Sequence, residues 1–140
     1  MKFLIVNNIQ STSLILSKII HDYNWGEITN CSYTKFFSNN NSLNLKDIDI
    51  LIISLPIPIY NKLILEFNGI IIGVCDINDQ DSITQGYLSG VENFITKPIN
   101  QFQVRGTIKN LVELINLKKC IYNIEKIVNP TKIKTHINII

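Results

Sequence analysis

The chain has 140 residues, 46% of them hydrophobic and 17% charged, with a formal net charge of +2. This composition supports one domain with its own core and excludes a disordered chain. It also argues against a nucleic-acid partner, which calls for a concentrated basic stripe, and no run approaches the roughly 18–20 apolar residues of a membrane-spanning helix.

Short apolar runs alternate with helical patterns along the chain, as in βα repeats that build a parallel sheet covered on both faces. Phe3 to Val6 is the first strand, ended by Asn7-Asn8. A helix follows from Ser11 to Asp22, with Ser11 as its N-cap and Leu14, Ile15, Lys18 and Ile19 as its apolar stripe with a polar edge. Trp25-Gly26 marks a turn, and Glu27 to Tyr33 reads as a polar second strand. Asn39-Asn40-Asn41 reads as a solvated loop, followed by a short helix near Leu43 to Lys46. Ile48 to Leu55 is a β-branched central strand, stopped by Pro56 and Pro58 because proline cannot donate to a ladder.

Tyr60 to Phe67 suggests a short helix, Gly69 to Cys75 a fully apolar strand, and Asp76 to Asp81 a polar loop. Asp81 to Ser89 reads as a helix ending at Gly90, and Glu92 to Thr96 as a short strand. Asn100 then caps a long helix reaching Val128, where Asn129-Pro130 stops it. Within it, Phe102, Leu111 and Ile115 are expected to dock on the sheet. The tail from Thr131 to Ile140 has no clear period. Five strands and about five helices in alternation predict a flavodoxin-like, doubly wound α/β sheet of order 2-1-3-4-5 with an extended C-terminal helix. Residues 1–120 form the domain in this reading, and 121–140 a helix extension and tail. The site of such a sheet lies at the carboxyl ends of its strands, near Asn7, Asn8, Ser54 and Cys75.

Cys31, Cys75 and Cys120 have neither pairing number nor metal-ligand spacing. Reduced thiols in a cytoplasmic protein are the simplest reading, and the short apolar start is not a signal peptide. Neither His21 nor His136 falls at a strand end beside Ser54 or Cys75, so no catalytic set is evident. The acids Asp76, Asp79 and Asp81 read as a solvated loop. No cofactor and no metal site are expected.

Gly90-Val91-Glu92-Asn93-Phe94-Ile95-Thr96-Lys97-Pro98-Ile99 resembles the fifth-strand segment of the receiver (CheY-like) domains of two-component response regulators. Asp47 to Pro58 is similar to the family's third strand, keeping an acid at Asp49 and a proline at Pro58. Lys2 to Asn8 resembles its first strand. The resemblance covers about residues 1–120 and implies a signalling fold with a cis Lys97–Pro98 bond.

It also implies which positions matter. In the family, an acidic pair after the first strand and an aspartate on the third hold Mg²⁺, and that aspartate accepts phosphate. This chain has Asn7-Asn8 and Ser54 there, and Cys75 where a Ser or Thr is usual. Mg²⁺ favours hard, usually anionic oxygen ligands, so of the five positions only Lys97 is kept. Ser54 and Cys75 stand 21 positions apart, short of the family spacing by roughly two helical turns, which implies a reduced third helix. The expected function is therefore a degenerate, non-phosphorylatable receiver that serves as an interaction or dimerisation adaptor. The alternative is a receiver that senses a small ligand or anion at the former phosphorylation pocket.

Phe94 matches the family's switch aromatic. Leu114, Leu117, Ile121, Ile124 and Val128 repeat at spacings of three and four, the seam of a coiled coil. Lys97 to Lys119 also resembles receivers joined to diguanylate cyclases, but no GG(D/E)EF motif is present. The expected partner is a second copy or another signalling protein, not nucleic acid or membrane.

Overall fold

The computed structural model describes residues 1–38, 44–58 and 61–128. The expectations for Asn39 to Leu43, Tyr60 and the tail from Asn129 lie outside these residues. The strands are β1 (Lys2–Val6), β2 (Glu27–Cys31), β3 (Ile50–Ser54), β4 (Ile70–Asp76) and β5 (Asn93–Lys97). They pair in parallel in the order β2-β1-β3-β4-β5. The helices are α1 (Gln10–Asp22), α2 (Tyr33–Phe36), α3 (Lys62–Leu65), α4 (Gln80–Leu88) and α5 (Gln101–Val128), with a 3-10 turn at Leu45–Asp47. Among the described residues, no helix is long and apolar enough to cross a membrane.

Alternation along the strands divides the core in two. Phe3, Ile5, Ile50, Ile52, Ile72, Val74 and Ile95 face α1 and α5. Leu4, Val6, Leu51, Ile53 and Ile71 face the side that holds Phe36 of α2 and Ile64 of α3. Both faces are buried, so the central strands carry unbroken apolar runs. Each such side chain gains about 1.5–3 kcal/mol from burial.

Several local expectations are corrected. Helix α1 begins at Gln10, and Ile9 holds the cap position without a side-chain bond. Ser11 lies inside the helix, because Asn7 Oδ1 already accepts from the Ile9 N–H at 2.7 Å and starts the turn early. The face of α1 in the core is Thr12, Leu16, Ile19 and Ile20, while Leu14 and Ile15 are exposed. The second strand ends at Cys31; Ser32 caps α2 by accepting from the Lys35 N–H, and Tyr33 is therefore helical. Helix α3 is a single turn, in keeping with the short spacing between Ser54 and Cys75.

Helix α5 begins where expected, Asn100 Oδ1 accepting from the Phe102 and Gln103 N–H groups. Phe102 is 77% exposed and does not dock; Val104, Ile108, Leu111 and Val112 form the sheet-facing stripe, with Ile115 at its end. At 28 residues, α5 is about 42 Å long. A five-residue strand spans only about 17 Å, so the second half of the helix passes below the amino-terminal edge of the sheet. There, Lys119 Nζ meets Asp49 Oδ1 at 3.2 Å.

Candidate functional site

The carboxyl ends of β1, β3, β4 and β5 form one rim. Val6 pairs with Ile53, so Asn7 and Ser54 are the next residues on neighbouring strands. Cys75 pairs with Thr96 and Asp76 with Lys97 across β4 and β5. The topology thus brings Asn7, Ser54, Cys75 and Lys97 to the same edge. The Lys97–Pro98 and Leu55–Pro56 peptides are both cis; the second was not anticipated.

Asn7 is 8% exposed. Its backbone N–H donates to Cys31 O at 3.1 Å, extending the β1–β2 ladder. Its Oδ1 is taken by Ile9, and its buried Nδ2 has no hydrogen-bond partner among the described residues. Asn8 faces elsewhere: its Oδ1 accepts from the Tyr33 N–H at 2.8 Å. The Tyr33 hydroxyl then donates to Pro56 O at 2.9 Å. Tyr33 is therefore a strap tying the loop after β1 to the loop after β3, beside the rim. Burial pushes its phenol above the ordinary tyrosine value. Sequence reasoning missed this residue by placing it in β2; the signal was Ser32, a good N-cap three residues before Lys35.

Cys75 is buried, and burial raises its thiol pKa, helped by the nearby Asp79 and Asp76 carboxylates and opposed by Lys97. It is an inert thiol at neutral pH, since the thiolate is the reactive form. Lys97 is half-buried and makes no salt bridge among the described residues. The carboxylates of the β4–α4 loop are in local use. Asp76 Oδ1 accepts from the Asn78 N–H at 2.9 Å. Asp79 caps α4, accepting from the Ser82 N–H and hydroxyl, which hold its carboxyl below the usual range.

These residues do not fit Mg²⁺. Both asparagine oxygens at the strand end already accept a backbone N–H, and Ser54 brings no charge to offset a dication. Among the described residues, no group of three or more His, Cys, Asp or Glu is placed to hold a metal. What the rim offers instead is donors: the Asn7 amide, the Ser54 hydroxyl and the Lys97 ammonium.

Phe94 lies below the rim with its ring 4.7 Å from that of Tyr87. Gly86 makes room for it, since a Cβ there would stand 3.0 Å from the ring. Leu55 fills the hollow over Gly73, where a Cβ would come within 2.7 Å of it. The remaining sequence-selected residues, Leu114, Leu117, Ile121, Ile124 and Val128, are exposed on α5, away from the rim.

The strand order and the helices on both faces agree with solved structures of receiver domains. The signal receiver domain of a Luxo repressor protein from Vibrio parahaemolyticus superposes with a TM-score of 0.63 at 14% identity, over 86% of this chain and 95% of that one. The chain has the CheY-like receiver fold. A second receiver-fold neighbour is the Saccharomyces cerevisiae receiver domain of Ssk1, crystallised with the histidine phosphotransfer protein Ypd1. It gives a TM-score of 0.58 at 18% identity, over 79% of this chain and 88% of that one. In sequence, the transcriptional regulatory protein GlnL of Bacillus subtilis is 26% identical over 144 residues, covering 96% of this chain and 46% of that protein. The chain spans about half the length of this curated relative. No family model matches it.

Proposed function

We propose that the chain is a receiver-fold module of a signalling pathway that works by protein contact and without phosphorylation. One observation carries this reading: the strand-end rim presents neutral Asn7, Asn8 and Ser54, and both asparagine oxygens are engaged by backbone amides. A phosphoacceptor carboxylate and an anionic metal cradle are both missing from these positions. The contact surface in this reading is the face of α4, β5 and α5, where Tyr87, Leu88 and Phe102 are exposed and the Tyr87 ring packs on Phe94, continued by the apolar seam of α5. Exposed apolar clusters of this kind mark interaction sites. The partner is a second copy or another signalling protein, and no catalysis is required of the chain.

Incubation with Mg²⁺ and acetyl phosphate, followed by intact-mass measurement, is expected to give no phosphorylated species. Stable phosphate on any rim residue overturns the reading. A second reading, an anion held at the rim, is favoured by the buried Asn7 Nδ2 that lacks a partner. Its mark is a melting temperature that rises with inorganic phosphate in the wild type and stays flat in Asn7→Leu.

A further inference from the structure

The amino-terminal edge of the sheet carries a groove of about 920 Å³. Ile48 and Ile70 form its floor, Leu63 and Phe67 one wall, and the second half of α5 the other, through Ile115 and Tyr122. Most of the exposed surface inside the groove is apolar, with the charged groups of Lys46, Asp49, Glu66, Lys118, Lys119 and Glu125 also among its lining residues, and burying such apolar surface is favourable.

The same half of α5 bears a second unpartnered surface. Leu114, Leu117, Ile121, Ile124 and Val128 are between 40% and 76% exposed. They form one ridge about 22 Å long at the rise of an α-helix. Ile121 belongs to both features, lining the groove and standing in the ridge. The two surfaces therefore meet along one edge.

Resting on the reading of the chain as an interaction module, we propose that the occupant of the groove is the α5 ridge of a second copy, exchanged reciprocally about a two-fold axis. The ridge cannot enter its own groove: Leu117 lies about 160° around the helix from Ile115, and Ile124 as far from Tyr122. A small apolar ligand would fill the groove and leave Leu117, Ile124 and Val128 in water. A helix from another copy covers both surfaces at once, and a patch holding ridge and groove side by side is self-complementary, as a two-fold interface requires.

The test is sedimentation equilibrium of four samples, with circular dichroism to verify the fold of each. The wild type is expected to dimerise at tens of micromolar. A ridge variant, Leu117→Asp with Ile124→Asp, and a groove variant, Leu63→Arg with Tyr122→Arg, are each expected to bind themselves at least ten-fold more weakly. An equimolar mixture of the two variants should regain dimers, because one ridge and one groove remain intact across the pair. If the double groove variant loses its native spectrum, Tyr122→Arg alone, on the helix surface, takes its place. Wild-type dimerisation by a groove variant means that ridge packs on ridge; the exchange is then wrong, while the adaptor reading stands. A wild type that stays monomeric at hundreds of micromolar overturns the exchange and leaves the adaptor reading dependent on a different protein.

Discussion

The two ends of the sheet are finished in different ways. At the carboxyl end, the loops are tied to one another by short hydrogen bonds, Asn8 to Tyr33 and Tyr33 to Pro56, over a helix whose Phe36 is fully buried. At the amino end, the second half of α5 is held over an open groove by the Lys119–Asp49 ion pair. In a chain that needed its strand-end rim for phosphoryl chemistry, the rim would have to stay open and charged. Here the ends of β1 and β3 carry neutral Asn7, Asn8 and Ser54 and their loops are strapped, while the apolar groove opens at the other end. The contrast is what the proposed contact surface on α5 and the faces beside it rests on.

The largest effect should come from the support under the strap. Phe36 packs among Leu4, Val6, Leu51 and Ile53, and Phe36→Ala removes a fully buried ring. Denaturant unfolding should show a loss of about 3–5 kcal/mol. A loss below about 1 kcal/mol would mean that α2 lies loosely on the sheet, and the contrast between the two ends would fail.

A smaller effect isolates the strap itself. Tyr33→Phe keeps the ring and its contact with Phe37 but deletes the donor to Pro56 O, at a cost of about 0.5–1.5 kcal/mol. It also has a pH signature. Burial raises the Tyr33 pKa above the ordinary tyrosine value in the folded state, so folding favours the neutral phenol. That contribution is complete below about pH 10 and is lost as the pH rises through the folded value. The gap between wild type and Tyr33→Phe should therefore shrink as the pH rises through the folded value, and a gap that keeps its size until the protein unfolds in alkali would mean that the fold does not favour the neutral phenol.

How much of this was legible in the sequence differs by residue. Ile50 to Ser54 and Ile70 to Asp76 announced themselves, because a strand buried on both faces is apolar whatever its partners are. Strand order followed from the alternation, and the rim residues from the strand ends. Helical phase was harder to read. With isoleucine and leucine at so many positions, α1 offers more than one apolar stripe, and Leu14 and Ile15 looked as suitable as Leu16 and Ile20. Phe102 fell to the same ambiguity: its place in the first turn after Asn100 points it to solvent. Contacts between distant positions were not legible at all. Tyr33 reaches Pro56 across 23 positions, and nothing local in either segment encodes the meeting.

Asp49 shows the same limit and supports the smallest prediction. Sequence similarity marked it as an acid retained near the third strand, but its side chain works at the amino end, bonded to the Lys2 N–H at 2.8 Å and to Lys119 across 70 positions. Asp49→Asn keeps an acceptor for Lys2 and removes only the charge, so it tests the ion pair alone. With side-chain exposures of 55% for Lys119 and 23% for Asp49, solvent screens the pair, and a double-mutant cycle with Lys119→Met should give a coupling below about 1 kcal/mol that fades with added salt. Its local consequence should be easier to see than its global one. Hydrogen exchange ought to quicken in the last turns of α5, which lie beyond the sheet, and stay unchanged around Ile108, which is buried against it. Equal exchange along the whole helix would mean that the extension is fixed by its apolar contacts and that the amino end is no less finished than the other.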